Sequence, residues 1–192
     1  QNSRYHYIKS ENELKSIINQ INKEAIFSIY IISENDNFFS DLKGYAIGLK
    51  SGEAYYVDSN LNNNLILKEI FENNKVEKIA YDIKDVTKKL KTINIILDGR
   101  LFDVSLAHYL LYPDRRRSVD ILSDQYLNIE FNLNSDVFIF HNNYSNKSLE
   151  KNTQYFCSYV DIIFQLSLIF KNSLEERNIK SLFYNIEVPL TQ

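Results

Sequence analysis

The sequence predicts an α/β chain in which a mixed sheet of about five strands is flanked by helices. Three observations predict it. Some segments place apolar residues at helical spacing, and others alternate apolar and polar residues as half-buried strands do. Two alternating segments meet at Ser51-Gly52, the signature of a hairpin. Beyond the hairpin, short strand signals interleave with helical ones, which sets parallel strands beside the hairpin and helices over both faces.

Ser10-Glu11-Asn12-Glu13 is a capping box, and Leu14, Ile17, Ile18 and Ile21 follow on one helical face to about Lys23. Residues 26–33, "IFSIYIIS", form the first strand; its centre carries no charge, and acidic residues begin only at Glu34 and Asp36. Gly44 to Leu49 and Glu53 to Val57 are the arms of the hairpin. A second helix covers about 61–73, with Leu65, Ile66, Glu69 and Ile70 at the right spacing. "VEKIAY" (76–81) is a strand, "DIKDVTKKLKT" (82–92) a helix, and "INIIL" (93–97) the fifth strand. "FDVSLAHYLLYP" (102–113) is a helix that Pro113 stops. "SVDILSDQYL" (118–127) is helical. Residues 128–146 are Asn-rich and irregular, with "VFIF" (137–140) as a short β segment or packed loop. A long helix runs from about Ser148 to Lys171, and a last one lies near 174–185. No repeat and no Gly- or Pro-rich linker divides the chain.

At 192 residues this is the size of one domain. The formal charge of −3, from 25 acidic against 22 basic residues, argues against strong autonomous binding to nucleic acid, which needs a basic excess. One cysteine, Cys157, excludes an internal disulfide framework and a cysteine-based zinc site. His6, His108 and His141 are scattered and pair with no nucleophile in a triad. The glycines at 44, 48, 52 and 99 build no phosphate loop. No apolar run suits a membrane span or a signal peptide, so no membrane partner is expected. Without methionine, position 1 is not a translation start, and the chain is expected to be a processed form or a piece of something longer.

The order of elements, with "YDIKD", "LFDVSLAHYLLYPD" and "YFCSYVDIIFQL" at these spacings, resembles the 3′–5′ exonuclease domain of bacterial family A DNA polymerases. The resemblance covers nearly the whole chain and implies a ribonuclease H-like fold. It also implies an exonuclease-like domain over 1–181 and, in "LFYNIEVPLTQ" (182–192), the start of the connection to a polymerase domain. The expected partners are that polymerase domain and, through the parent enzyme, DNA. The parent is then expected to be a DNA-directed DNA polymerase, a nucleotidyltransferase of replication and repair in the bacterial cytoplasm.

Active members of the family hydrolyse a phosphodiester with two divalent ions held by four carboxylates. Two such ions activate the attacking water and stabilise the leaving oxygen, and they want oxygen ligands. The first pair of carboxylates sits at i and i+2 of the first strand, on one face. Those positions here are Tyr30 and Ile32. The third, on the helix after the fourth strand, falls on Val86, with Asp85 about 100° round the helix and expected to point elsewhere. The late motif Tyr-x-x-x-Asp reads Tyr155 to Tyr159: the tyrosine remains and the carboxylate does not. The resemblance is therefore to the branch of the family whose site is vestigial. No catalytic residue and no metal ligand is expected, and Mg or Mn only on the alternative.

That alternative is a nuclease with a rearranged set, Glu34, Asp58, Asp82 and Asp161. A further reading makes the chain a single-strand-binding module that stacks bases on Tyr81, Tyr155 and Tyr159. Asp103 reads as a helix cap rather than a ligand. Arg115, Arg116 and Arg117 are the one concentrated basic run and the candidate nucleic-acid contact, with a solvated loop or a contact to the parent enzyme as the plainer account.

Overall fold

The computed structural model describes residues 3–33, 41–133 and 146–191. Six strands are present: β1 (Arg4–Tyr7), β2 (Ile26–Ser33), β3 (Leu42–Lys50), β4 (Glu53–Asp58), β5 (Glu77–Ala80) and β6 (Leu101–Asp103). They form one mixed sheet in the order β1-β4-β3-β2-β5-β6. The helices are α1 (Glu11–Glu24), α2 (Leu61–Phe71), α3 (Ile83–Lys91), α4 (Val104–Leu111), α5 (Val119–Leu127), α6 (Asn146–Glu176) and the short α7 (Lys180–Leu182).

Local chemistry explains the boundaries. Ser10 Oγ accepts from Glu13 N at 3.3 Å, while the Glu13 carboxylate reaches back to Lys9 N at 2.9 Å. Gly52 turns the hairpin with φ of 79°, a conformation that suits glycine. In the sheet, Tyr30 pairs with Ala46 of β3, and Ala46 with Tyr56 of β4. Alternation along β2 sends Phe27 towards α2, where it meets Phe71 at 6.0 Å between ring centroids, and the even-numbered residues towards α6.

The mixed sheet is as expected, with six strands among the described residues against about five expected; local expectations are corrected. β1 is four residues long and pairs parallel with β4 from Arg4↔Glu53 to Tyr7↔Tyr56, too short an edge strand to show a period of its own. "INIIL" is not a strand: Asn94 takes φ of 57° just after α3, and the run packs Ile95 and Leu97 inward with Ile96 outward. The last strand is instead β6, hidden at the head of the segment read as a helix from 102. Downstream, Asn178 at φ of 58° breaks the terminal helix, which continues as α7 and a π-helical turn over Phe183–Glu187. The "VFIF" run lies outside the described residues.

Two contacts fix where the site lies. The first is the approach of α6 to the sheet at Gly48 and Ser28. Ser28 Oγ donates to Val160 O at 2.7 Å, and a Cβ on Gly48 would stand 2.3 Å from that Oγ and 3.2 Å from Val160 O. Only a strand without a side chain there admits the helix so close. The second is Asp103, at the end of β6. Its Oδ1 accepts from Leu106 N at 2.8 Å and its Oδ2 from Ile83 N at 2.9 Å, so one carboxylate caps α4 and also anchors the start of α3. Burial pushes this carboxyl up to about 6, against the pull of those N–H donors.

Gly48→Ala should therefore destabilise the domain by about 1–3 kcal/mol, read as a lower Tm. Ser28→Ala in the same chain should recover part of the loss, because it removes the nearer of the two clashing atoms.

The Asp103 shift fixes a pH dependence. An acid whose folded pKa is raised contributes stability that is full below its unfolded pKa, about 3.9, and lost as pH rises through the folded value. Asp103→Asn should be less stable at every pH, having lost an acceptor. The Tm gap between native and variant should narrow as pH rises from 4 to 7, by an amount on the order of 2 kcal/mol.

Candidate functional site

β2, α3 and α6 converge on the positions that the resemblance aligns with ligands. Tyr30 and Ile32 lie two apart on β2, on its α6 face. Ile32, Val86 and Tyr159 are buried in one hydrophobic core, and the half-buried Tyr30 packs against it. The Tyr30 and Tyr159 rings are 4.6 Å apart, and Phe156, one turn earlier on α6, stacks 5.9 Å from Tyr30. Phe131 closes the side, 5.9 Å from Tyr159 and 5.1 Å from Tyr155. Tyr155, the retained motif residue, stands edge-on to Phe156 at 5.4 Å. Burial, chiefly, pushes the Tyr159 hydroxyl well above the usual phenol range, and the neighbouring tyrosines and Asp85 add to it. Burial raises the Tyr155 hydroxyl as well.

Sequence reasoning missed the charged group of this cluster. Lys89 is on the buried face of α3, three residues beyond Val86. Its Nζ lies 2.8 Å from Asp85 Oδ2, 3.4 Å from Ile31 O and 5.8 Å from the centre of the Tyr30 ring. Asp85 thus does not simply point elsewhere: through Lys89 it bears on the site. The i,i+4 spacing of Asp85 and Lys89 was legible as a helical ion pair; that the lysine would be buried was not.

The described members of the rearranged ligand set, Asp58, Asp82 and Asp161, do not form one group. Asp161 accepts from Tyr5 Oη at 2.6 Å, from Gly52 N at 2.9 Å and from Gln165 Nε2 at 2.9 Å, at the hairpin end of the sheet. Asp82 caps α3 at the opposite end, accepting from Asp85 N at 3.0 Å. Asp58 accepts from the Tyr7 hydroxyl at the end of β4. Glu34, Asp36 and His141 lie outside the described residues. Among the described residues no three His, Cys, Asp or Glu side chains form a group able to hold a metal ion. Phenol and alkyl groups at the aligned positions, with the Lys89 ammonium beside them, do not fit a pair of divalent ions, which want hard oxygen donors.

The three stacking residues differ in exposure: Tyr159 is buried, and Tyr81 and Tyr155 are half-buried. Tyr159 is buried in the aromatic cluster, and Tyr81 donates its hydroxyl to Arg117 O at 2.5 Å. That bond ties the basic loop to the end of β5. The Arg117 guanidinium lies over Tyr109 at 5.2 Å, with its Nε 3.1 Å from Ser105 Oγ, and the Arg115 guanidinium lies over Tyr112 at 4.7 Å. All three arginines are exposed. Asp103 sits below this loop as a double cap, not as an open carboxylate.

Comparison with known proteins agrees with the fold. DNA polymerase I of Borreliella burgdorferi strain B31 is 30% identical over 205 residues, an alignment that takes in 100% of this chain and 22% of that protein. The chain therefore spans about a fifth of its curated relative. Among solved structures, Escherichia coli RNase D, an exoribonuclease involved in structured RNA processing, matches 98% of the chain and 49% of its own at a TM-score of 0.79 and 11% identity. The polymerase domain of Pol1 from M. smegmatis, in complex with DNA primer-template and dNTP, matches 97% of the chain and 30% of its own at 0.78 and 18%. Brucella melitensis NrnC with bound Mg2+ matches 95% and 86% at 0.74 and 15%. These likenesses establish a ribonuclease H-like fold. A profile of the 3′–5′ exonuclease family matches residues 5–186, and the chain belongs to that family, as an exonuclease-like domain related to DNA polymerase I.

Proposed function

We propose that this is a catalytically inactive 3′–5′ exonuclease-like domain of a DNA polymerase I, which supports the polymerase domain during replication and repair. The observation that carries the reading is that Ile32, Val86 and Tyr159 are buried in the core and the Tyr30 ring packs on Tyr159, at the positions that the resemblance aligns with metal-binding carboxylates. Water, metal and a scissile phosphate have no place in such a cluster, and neither ion has a carboxylate to hold it. No cofactor belongs to the domain on this reading.

The supporting role rests on the C-terminal segment. Phe183 and Val188 are buried, with Phe183 5.0 Å from Phe102, so the segment is anchored in the core. Its outer side exposes Leu182, Ile186 and Leu190, an apolar stripe at i, i+4 and i+8. Residues 182–192 are then the connection to the polymerase domain, and the stripe is suited to lie against it. Among the described residues no helix is long and apolar enough to cross a membrane; the proposed setting is the bacterial cytoplasm, with the parent enzyme.

A nuclease assay is the direct test. The chain should leave a single-stranded oligonucleotide intact with Mg or Mn. EDTA-sensitive degradation that a point mutation in the chain abolishes would sink the proposal.

DNA binding should be weak and nonspecific, with a Kd of about 10⁻⁴–10⁻⁶ M near physiological salt, and Arg115–Arg117 the contact. Titration with labelled single-stranded DNA measures it. A nanomolar Kd would put the single-strand-binding reading first.

Tyr30→Asp with Ile32→Glu buries two acids in this cluster. In EDTA the double variant should melt several degrees below the native chain, because an unpaired buried charge costs several kcal/mol, of the order of 3.

A further inference from the structure

Beyond Ser28 the β5 side of β2 has no ladder partner, since the parallel pairing ends at Ser28↔Ile79. Buried backbone carbonyls need donors. Lys89 supplies one, its Nζ 3.4 Å from Ile31 O. The same ammonium pairs with Asp85 at 2.8 Å and lies 5.8 Å from the centre of the Tyr30 ring, within the range of a cation–π contact. A carboxylate, a backbone carbonyl and an aromatic face are the three kinds of group that stabilise an ammonium. The lysine side chain is 9% exposed, whereas its Asp85 partner is 44% exposed. A lysine on a solvated helix face would extend into water; this one turns towards the strand.

We propose that the Lys89 ammonium is the resident cation of the vestigial site, held between Asp85, Ile31 O and Tyr30, and that it keeps divalent ions from binding there. The inference rests on the reading of the site as vestigial and adds what replaced the metal. A tethered single positive charge neutralises the one nearby carboxylate and satisfies the open strand edge. It also repels an incoming divalent ion at short range, where little water screens it.

Reversing the charge gives the test. Lys89→Glu would set a second carboxylate beside Asp85 and Ile31 O, an all-oxygen donor set of the type divalent ions take. Free Mn2+ is followed by its electron paramagnetic resonance signal, and folding by circular dichroism. The native chain and Lys89→Met should leave the Mn2+ signal at its buffer level. Lys89→Glu should lower it, and its Tm should rise by about 4 °C or more with excess Mn2+ and return in EDTA. Lys89→Met should melt about 3 °C or more below the native chain, since Asp85 and Ile31 O lose their partner.

Uptake of Mn2+ by the native chain, a Lys89→Met variant as stable as native, or a folded Lys89→Glu that ignores Mn2+ would each overturn the proposal. Should Lys89→Glu not fold with or without Mn2+, a double-mutant cycle of Lys89→Met and Asp85→Asn decides. Losses that simply add overturn the proposal, and losses smaller together than summed uphold it. The outcomes separate the two readings. EDTA-sensitive exonuclease activity in the native chain would end the inactive-domain reading, whereas an unaffected Lys89→Met ends only this one.

Discussion

The arrangement of the site depends on how closely α6 can lie on the sheet. Gly48 has no side chain and Ser28 has a small one, and the Ser28 hydroxyl is bonded to the Val160 carbonyl of the helix backbone. With the helix axis fixed there, Phe156 and Tyr159 on the preceding turn and the same turn meet Tyr30, and Phe156 also meets Tyr56 of β4 at 5.8 Å. A helix held farther out would leave a gap under these rings, and voids in a packed interior cost stability. The aromatic residues fit because the backbone contact below them is tight.

On the proposed reading, the exchange of carboxylates for rings and alkyl groups changes the electrostatics of this end of the sheet. Four acids at one point repel each other and stay charged only when metal neutralises them. Here a single exposed-side acid, Asp85, faces a single ammonium on the same helix, one turn away. The Asp85 carboxylate is thus paired within α3. The remaining volume is filled by Ile32, Val86 and Tyr159, all in the continuous core. Fully burying one aliphatic side chain contributes about 1.5–3 kcal/mol, so the cluster stabilises the fold where carboxylates would strain it.

Much of this was legible in the sequence. The charge-free centre of β2 read correctly as a strand, and its alternation placed Tyr30 and Ile32 on one face. "DIKDVTKKLKT" read as a helix, and Asp103 read as a cap. The illegible parts share a physical cause: they are set by partners distant in sequence. β1 and β6 have four and three residues, too few for a period, and exist because β4 and β5 offer them edges. "INIIL" has strand-like composition, yet a left-handed Asn94 and the contact of Gly99 with the Asn74 backbone move the pairing to Leu101. The burial of Lys89 has no local signal, because nothing near it in sequence announces that Ile31 O lacks a ladder partner.

The carboxylates that the chain does retain near its motifs are committed to holding the fold. Asp161 lies two residues past Tyr159 on α6, yet it faces the hairpin end, where Tyr5, Gly52 and Gln165 all donate to it. Two residues on a helix turn a side chain by about 200°, so proximity in sequence put it on the opposite side from the cluster. Asp103 spends both oxygens on the N-termini of α3 and α4. Glu77, at the far end of β5, takes Lys171 of α6 at 2.7 Å and the Tyr184 hydroxyl at 3.1 Å, which ties the long helix and the C-terminal segment to the sheet. Each of these bonds joins elements far apart in the chain, and none passes through the aligned ligand positions. A fold secured in this way needs, on the proposed reading, no metal ion to hold β2, α3 and α6 together. On the proposed reading, that independence is what let the ligand positions become core while the architecture of the family was kept.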